Sequence, residues 1–125
     1  AYDPHLAGGT GQDPLFGDAG NDLIEGGVGS DTMEGGGGYD SFRIYSEAGN
    51  DIITDFDFTG VVQDTLVLSG IPGLSNEQEF LAKAQAADVD QQGADDDVII
   101  DVGTGQTIGV LNITVDQLLD NTIFT

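Results

Sequence analysis

Four aspartates that recur every nine residues are the side chains in this sequence with the clearest potential for chemistry. These aspartates are Asp13, Asp22, Asp31 and Asp40. They belong to four consecutive nine-residue units, GGTGQDPLF (8–16), GDAGNDLIE (17–25), GGVGSDTME (26–34) and GGGGYDSFR (35–43). Each unit has glycine at its first and fourth positions, aspartate at its sixth and a large apolar residue at its eighth. Carboxylates kept in phase in this way are candidate oxygen ligands for a hard cation.

A flexible glycine-rich spacer with scattered acidic side chains is the competing interpretation of this segment. Such a spacer has no reason to keep the aspartate and the apolar residue in phase through four units. The apolar residues at the eighth position are Leu15, Ile24, Met33 and Phe42. Binding of a metal other than calcium is a second alternative. The chain has no cysteine and therefore no thiolate ligand for a soft metal, which favours a hard cation.

The overall charge narrows the classes of function. The chain of 125 residues carries 23 acidic side chains against two basic ones, Arg43 and Lys83, so its formal net charge is −21. Two cations cannot form the basic surface that nucleic acids or anionic membrane surfaces require. No apolar run approaches the roughly 20 residues of a membrane-spanning helix. The 38% of hydrophobic residues still allows a core, and the length suits one domain.

The four units follow the pattern G-G-x-G-x-D-x-U-x, in which the second position varies once, to Asp18. This segment resembles the calcium-binding repeats of secreted bacterial RTX proteins. The resemblance implies an all-β fold, a right-handed parallel β-roll of nonapeptide repeats in which two units complete one coil. A C-terminal β-rich cap with one or two short helices would close the roll. The expected division is a degenerate or truncated upstream repeat at 1–7, the calcium-binding roll at 8–56 and a capping region with the secretion signal at 57–125.

In such a roll, residues 18 apart would stack, and the dimensions suit calcium. Stacked strands lie about 4.8 Å apart, and two Ca–O bonds of about 2.4 Å add up to a similar length. We therefore expect calcium to bridge Asp13 to Asp31 and Asp22 to Asp40. Glycine permits the sharply curved loop and lets carbonyl groups turn inward. The remaining ligands would be backbone carbonyl groups of the loops, at Gly8, Thr10, Gly17, Ala19, Gly26, Gly27, Val28, Gly29, Gly35, Gly36, Gly37 and Gly38.

The repeat becomes irregular at both of its ends. Before the first unit, Pro4 stands where aspartate is expected. After the last unit, the stretch AGNDIIT (48–54) is similar to a fifth unit but arrives two residues late. Its aspartate, Asp51, follows Asp40 by 11 residues instead of nine. The strand that begins at Ser41 is therefore expected to be longer than its predecessors.

The segment DIITDFDFTGVVQDTLVLSG (51–70) alternates apolar and acidic residues, which is typical of strands. It also resembles the part of RTX proteins that closes the roll. By that resemblance, Asp51 and Asp55 would complete the calcium sites left open above the last repeats, for about four ions in all. Asp57 and Asp64 are weaker candidates, because acidic residues in such a pattern commonly form the solvent face of ordinary strands.

The rest of the capping region shows two helix signals. Ser75, with Gln78 at the reciprocal position, predicts the start of a helix over 76–86. Phe80, Leu81 and Ala84 would form its core-facing side. Thr114 predicts the start of a short helix over 115–119.

Strand signals follow the first helix. Two strands, 97–102 and 106–113, are expected to form a hairpin around Gly103-Thr104-Gly105, and 122–125 would be a terminal strand. The polar stretch 88–97 between helix and hairpin is expected to be a loop. Its acidic run Asp95–Asp97 would be solvated.

The sequence offers little to a catalytic mechanism. There is no cysteine, the one histidine is His5, and no H-E-x-x-H motif is present. Pairs of carboxylates carry no information in a chain with 23 acidic residues. We therefore expect a module that is not itself an enzyme, although the larger protein that contains it can be one.

The expected function is calcium-dependent folding after secretion, as the folding, export and stabilising domain of a larger extracellular or cell-surface bacterial protein. The resemblance implies calcium and the type I secretion apparatus as partners, because the family carries its export signal at the C-terminus. One alternative is a polysaccharide-binding module of an exopolysaccharide-modifying enzyme such as a mannuronan epimerase. Because Arg43 is the one basic side chain of the roll, binding of an anionic polymer is not expected unless calcium bridges it. Another alternative is a segment of a surface-layer protein or adhesin.

Overall fold

A computed structural model of the chain describes residues 5–9, 11–12, 14–45, 49–57, 63–89, 91, 97–103 and 106–125. The first six strands are β1 (His5–Ala7), β2 (Pro14–Phe16), β3 (Leu23–Glu25), β4 (Thr32–Glu34), β5 (Ser41–Ile44) and β6 (Asp51–Ile53). The last three residues of each nonapeptide unit therefore form a strand, as the repeat predicts. The strand β5 has four residues instead of three, which confirms the expected lengthening.

These first six strands alternate between two sheets. The later strands are β7 (Thr65–Leu68), β8 (Ala84–Ala87), β9 (Asp97–Gly103), β10 (Gln106–Val110) and β11 (Thr122–Phe124). One sheet has the order β1-β3-β5-β7-β11, and the other has the order β2-β4-β6-β10-β9-β8. Every pairing is parallel except β9 with β10 and with β8, which are antiparallel. The architecture is the predicted all-β parallel roll, and one coil consists of a strand in each sheet and the two loops that join them.

The apolar residue of each unit points into the space between the sheets. In one sheet Ile24 pairs with Phe42, and Phe42 pairs with Leu66. In the other sheet Met33 pairs with Ile53. All five side chains are fully buried, and each such burial contributes roughly 1.5–3 kcal/mol. One apolar residue per three-residue strand is therefore enough, because the two sheets bury it from both sides.

Two short helices close the end of the core. They are α1 (Glu77–Lys83) and α2 (Val115–Asp120). The side chain of Thr114 accepts a hydrogen bond from Gln117 N, and Gln117 Oε1 accepts one from Thr114 N, so the predicted start of α2 is confirmed. No helix in the described part of the chain is long and apolar enough to cross a membrane.

The extent of α1 differs from the prediction. Its N-cap is Asn76, whose side chain accepts from Glu79 N, while Ser75 donates its backbone N–H and hydroxyl to the Glu79 carboxylate. The helix ends at Lys83, because the next four residues pair with β9 as the strand β8. Long-range strand pairing thus overrides the helix propensity of the alanines.

The shorter helix changes its core-facing side. Phe80 is fully buried, and its ring meets the ring of Phe124 edge to face with centroids 6.1 Å apart. Leu81 is 51% exposed and Ala84 lies in β8. The prediction that Leu81 and Ala84 share the helix's buried side was therefore wrong, since too few turns remain to bury a full apolar stripe.

The acidic run before the hairpin was also predicted wrongly at its last residue. Asp97 is fully buried at the start of β9. Its carboxylate accepts hydrogen bonds from Val89 N at 2.9 Å and from Asn112 N at 2.8 Å. Asp97 therefore joins two turns of the cap, while Asp95 and Asp96 lie outside the described residues. The hairpin of β9 and β10 itself is confirmed.

Candidate metal centre

The repeat aspartates form two buried columns along the roll. The first aspartate column consists of Asp22, Asp40 and Asp64, and the second consists of Asp31 and Asp51. Each of the five directly precedes or opens a strand, and none is more than 3% exposed. Asp13 would begin the second column, but it lies outside the described residues, as does Thr10.

Each column is linked by hydrogen bonds from an earlier coil to a later one. Asp22 N donates to Asp40 Oδ1 at 3.0 Å, and Asp40 N donates to Asp64 Oδ1 at 3.0 Å. In the second column, Asp31 N donates to Asp51 Oδ1 at 2.8 Å. A carboxylate of the later coil thus holds the backbone of the earlier loop.

The second carboxylate oxygens of the column aspartates are candidates to bind a cation. Asp40 Oδ2 and Asp51 Oδ2 are buried and have no hydrogen-bond partner among the described residues. Both carboxylate oxygens of Asp22 are also buried and have no hydrogen-bond partner among these residues. Residue 4, which lies 18 positions before Asp22, is proline and has no N–H to donate. Buried carboxylates of this kind need a cation or a proton, since an unpaired charge is very unfavourable away from water.

Burial raises the pKa of three of the column carboxyls, those of Asp40, Asp51 and Asp64. Loss of hydration raises the pKa of Asp40 to about 7, with a further contribution from the charges of Asp64, Asp22 and Asp55. Loss of hydration and the charge of Asp31 raise the pKa of Asp51 to about 7. The pKa of Asp64 is raised mainly by burial. The folded protein without metal therefore favours the protonated forms.

This shift predicts that acid stabilises the calcium-free protein. A carboxyl whose pKa rises on folding contributes stability that is fully present below its unfolded value, 3.8, and is lost as the pH passes about 7. In chelator, we expect a larger strand signal in far-UV circular dichroism at about pH 5 than at about pH 8. Asp51→Asn should reduce this difference more than Asp120→Asn, an exposed residue that serves as the charge-matched control. An equal or smaller strand signal in acid would contradict the prediction.

The glycines let the loops stack with their carbonyl groups pointing along the roll. A Cβ on Gly27 would overlap the carbonyl oxygen of Gly9, and one on Gly36 would overlap that of Asp18. A Cβ on Gly17 would lie 2.6 Å from both Asp22 Oδ2 and the carbonyl oxygen of Gly35. Carboxylate and carbonyl oxygens of successive loops thus come together in the space that a side chain would fill.

Two adjacent glycines allow a direct test of this packing. Gly36 has φ +82 and has no room for a Cβ. Gly37 lies outside the left-handed region, and no atom of the other described residues lies within 4 Å of its Cβ position. Left-handed backbone alone costs roughly 1–2 kcal/mol for a residue with a Cβ. We therefore expect Gly36→Ala to lower the free energy of unfolding in calcium by more than about 2 kcal/mol.

The matched variant Gly37→Ala should stay within about 1 kcal/mol of the original protein. Urea unfolding in saturating calcium measures both variants. Equal losses for the two substitutions would contradict the packing described for Gly36.

The donor set of the stacked loops fits calcium. All candidate ligands are hard oxygens, and calcium accepts six to eight of them in flexible geometry. In the described part of the chain, no three acidic or imidazole side chains converge on one point. A bound ion would therefore take one or two carboxylates and several backbone carbonyls. The other predicted carbonyl ligands all lie in these loops, at Gly8, Gly17, Ala19, Gly26, Val28, Gly29, Gly35 and Gly38.

The sequence favours Asp51 and Asp55 over Asp57 and Asp64 as calcium ligands, and the structure places these four residues differently. Asp51 continues the second column, as the fifth unit suggests. Asp55 accepts from Gly35 N and Gly36 N, each at 2.8 Å, so its two oxygens bind backbone amides. Its role as a calcium ligand stays a prediction.

Asp64, which the sequence favours less, completes the first column instead. Its Oδ1 accepts from Asp40 N, and its Oδ2 accepts from Asp57 N at 2.8 Å. Asp57 itself is exposed. The separation of 24 residues between Asp40 and Asp64 hides this relation, because the inserted residues break the period.

A second set of hydrogen bonds joins the fifth positions of the units. Asn21 Oδ1 accepts from Tyr39 N at 2.8 Å, which lies 18 residues later. In the other row of loops, Asn50 N approaches Ser30 Oγ at 3.3 Å, and Asn50 Oδ1 accepts from Thr107 N at 2.9 Å. These bonds run opposite to those of the aspartate columns. Sequence analysis overlooked them, although the polar residues at the fifth position were a signal.

A parallel roll that stacks glycine loops around buried aspartates defines the class of this protein as a calcium-binding repeat module. The RTX calcium-binding nonapeptide repeat family matches residues 7–42 in four copies. The chain belongs to this family. No curated protein matches the chain.

Solved structures share the fold over nearly the whole chain. The AlgE6R3 subunit of the Azotobacter vinelandii mannuronan C5-epimerase is 30% identical, with a TM-score of 0.65, over 97% of this chain and 72% of that one. The extracellular lipase LipA from Serratia marcescens is 23% identical, with a TM-score of 0.67, over 97% of this chain. The chain spans only 21% of the lipase's length, so this likeness concerns the fold alone.

Proposed function

We propose that the module is a calcium-dependent folding domain, in which calcium neutralises the aspartate columns and holds successive loops together. The observation that carries the proposal is the set of buried carboxylate oxygens, at Asp22, Asp40 and Asp51, that have no hydrogen-bond partner in the described part of the chain. Backbone hydrogen bonds satisfy only one oxygen of Asp40 and of Asp51. The other oxygen of each is free to bind a cation between the loops.

We place about four ions along the roll. Two would lie between stacked repeat loops, one bridging Asp13 and Asp31 and one bridging Asp22 and Asp40. Two further ions would lie nearer the cap, beside Asp51 and beside Asp64. Asp55 would help there either as a ligand or by fixing the loop amides of Gly35 and Gly36.

The proposed biological role is folding after export. Extracellular modules bind calcium with dissociation constants of about 10⁻⁴–10⁻³ M, far above the levels of free calcium inside cells. The chain would stay unfolded during passage through a type I exporter and would fold outside as the stabilising part of a larger bacterial protein. Catalysis, if the larger protein performs any, would belong to its other parts.

Counting bound ions tests this proposal. Native mass spectrometry in excess calcium should show about four ions on the original protein. Asp40→Asn, which changes one column carboxylate, should lose at least one of them. Asp120→Asn removes the same charge from an exposed helix residue and should keep all of them. A protein without bound ions, or an equal loss in both variants, would exclude the proposed sites.

A polysaccharide-binding role is the second candidate, and the identity of 30% to a subunit of a mannuronan C5-epimerase supports it. The charge of the roll does not favour an anionic polymer. Its one cation, Arg43, lies 3.8 Å from the Glu25 carboxylate and donates to the Tyr45 hydroxyl. Calorimetry in calcium with alginate and with a neutral glycan would separate the candidates, because a pure folding domain should release no heat of binding with either.

A surface-layer or adhesin segment is a third role, supported by the repeat family alone. It predicts self-association that depends on calcium. Light scattering in calcium and in chelator measures this property, and a monomer in both conditions would exclude the role.

A further inference from the structure

The first coil, residues 5–16, leaves one edge of each sheet without a partner in the described part of the chain. The strands β1 and β2 are the outermost strands of their sheets. Open edges of this kind can accept another strand, either from a further coil or from a second copy of the protein. Whether this edge does so depends on the hydrogen-bond donors and side chains that it presents.

Pro14 removes a hydrogen-bond donor from this edge. In later coils, the first residue after the column aspartate donates its backbone N–H to the coil before it. Ser41 N donates to the carbonyl oxygen of Asp22 at 2.8 Å, and the residue in register with Pro14 on β6, Ile52, donates to that of Asp31 at 2.9 Å. Proline has no N–H, so β2 cannot make the equivalent bond to a coil in front of it.

Asp18 places a side chain where a further coil would bring a carbonyl group. It takes the second position of its unit, which is glycine in the other three units. Its φ of +66 matches the left-handed backbone of Gly27 and Gly36. The missing Cβ of Gly36 leaves space for the carbonyl oxygen of Asp18, one coil earlier. Asp18 has a Cβ in that place, so a coil stacked before it in the same geometry would collide with it.

The remaining glycines of the first coil are compatible with an end of the stack. Gly9 and Gly11 have φ +78 and +97, and no other described residue lies within 4 Å of their Cβ positions. Their left-handed backbone alone is reason for glycine. Phe16 at the end of β2 is 57% exposed. As far as the described residues go, nothing covers the outer side of this coil, and the residues that border it suit an end.

From these observations we infer that the outer face of the first coil is a built end of the roll, closed by Pro14 and Asp18 to strand addition by a further nonapeptide coil or by a second copy of this chain. A protein segment attached before residue 5 would contact the module through side chains such as Phe16, and it would not extend the two sheets.

Insertion of one additional coil tests this inference. A copy of residues 26–43, which is 18 residues long, is inserted between Ala7 and Gly8, where it would have to stack against both Pro14 and Asp18. The same copy inserted between Glu25 and Gly26 serves as the internal control. Hydrogen exchange in calcium, followed by mass spectrometry, measures protection of the inserted residues. We expect protection of the internal copy and, for the N-terminal copy, exchange about 100-fold faster, as in a peptide without structure.

The double substitution Pro14→Thr and Asp18→Gly, combined with the N-terminal insertion, should give the copy the protection of the internal control. Protection of the N-terminal copy without these substitutions would overturn the inference. Fast exchange of the N-terminal copy in the double variant would also overturn the inference, because residues other than Pro14 and Asp18 would then prevent the coil from stacking. Exchange of residues 23–125 reports whether the roll itself is intact, and Pro14→Thr or Asp18→Gly alone repeats the test if the double variant loses its fold.

Discussion

Removal of calcium at about pH 8 will unfold the roll, because Asp40 and Asp51, whose pKa is raised to about 7, are mostly charged at that pH. Five buried aspartates then lie in two columns without a cation, and the glycine loops lose conformational entropy with no bond in return. Metal binding and folding are coupled in such a site, because the unfolded chain does not preform it. Far-UV circular dichroism should show a cooperative gain of strand on titration with calcium, with a midpoint of about 10⁻⁴–10⁻³ M.

Two controls separate calcium binding from charge screening. Chelator should reverse the gain of strand completely. Magnesium at equal concentration should be much less effective, because it prefers a tighter octahedral shell and retains its waters. Identical spectra in chelator and in millimolar calcium would contradict the calcium-dependent fold itself.

Replacement of Asp64 with alanine should be the most damaging single change among the column aspartates. Asp64 accepts two backbone hydrogen bonds, from Asp40 N at 3.0 Å and from Asp57 N at 2.8 Å. Leaving the buried Asp40 N without an acceptor costs about 1–3 kcal/mol, and losing the part-buried bond from Asp57 N costs about 0.5–1.5 kcal/mol, so the variant should lose about 1.5–4.5 kcal/mol. That loss is a large part of the stability of a small domain.

Urea unfolding in saturating calcium measures the loss, and the variant should also need more calcium to fold. Asp120→Ala is the control with the same change of charge, since Asp120 is exposed at the end of α2. If Asp64→Ala unfolds as late as the control, Asp64 is an ordinary surface carboxylate and its place in the column has no energetic weight. Asp51→Ala should lie between the two, because its Oδ1 accepts one bond, from Asp31 N.

Local periodicity explains why much of the roll could be predicted from the sequence. Each nine-residue unit contains the residues that its structure requires: glycines for the turn, an aspartate for the column and one apolar residue for the core. Ile24, Met33 and Phe42 are accordingly all fully buried. The terminal strand β11 and the hairpin of β9 and β10 also followed from local patterns.

Relations between distant segments were beyond the same reasoning. The alanines after Lys83 are good helix formers, but their pairing with β9 makes them a strand. Asp97 belongs to an acidic run, yet backbone amides of Val89 and Asn112 meet it and make its burial favourable. Inserted residues place Asp64 out of phase with the repeat, although its Oδ1 accepts a hydrogen bond from Asp40 N and so continues the column. In each case the deciding partner lies eight or more residues away.

The direction of the aspartate hydrogen bonds makes the two ends of the molecule unequal. Each bond runs from a backbone amide of an earlier coil to a carboxylate of a later one, as from Asp22 N to Asp40 Oδ1. Trimming coils from the N-terminal side removes donors and leaves acceptors that can turn to water or a cation. Trimming coils from the C-terminal side removes the carboxylates and leaves buried amide groups without an acceptor, which is far less favourable. Shorter versions of the module can therefore be made by cutting at its beginning, whereas Asp51, Asp64 and the cap around them must stay whole.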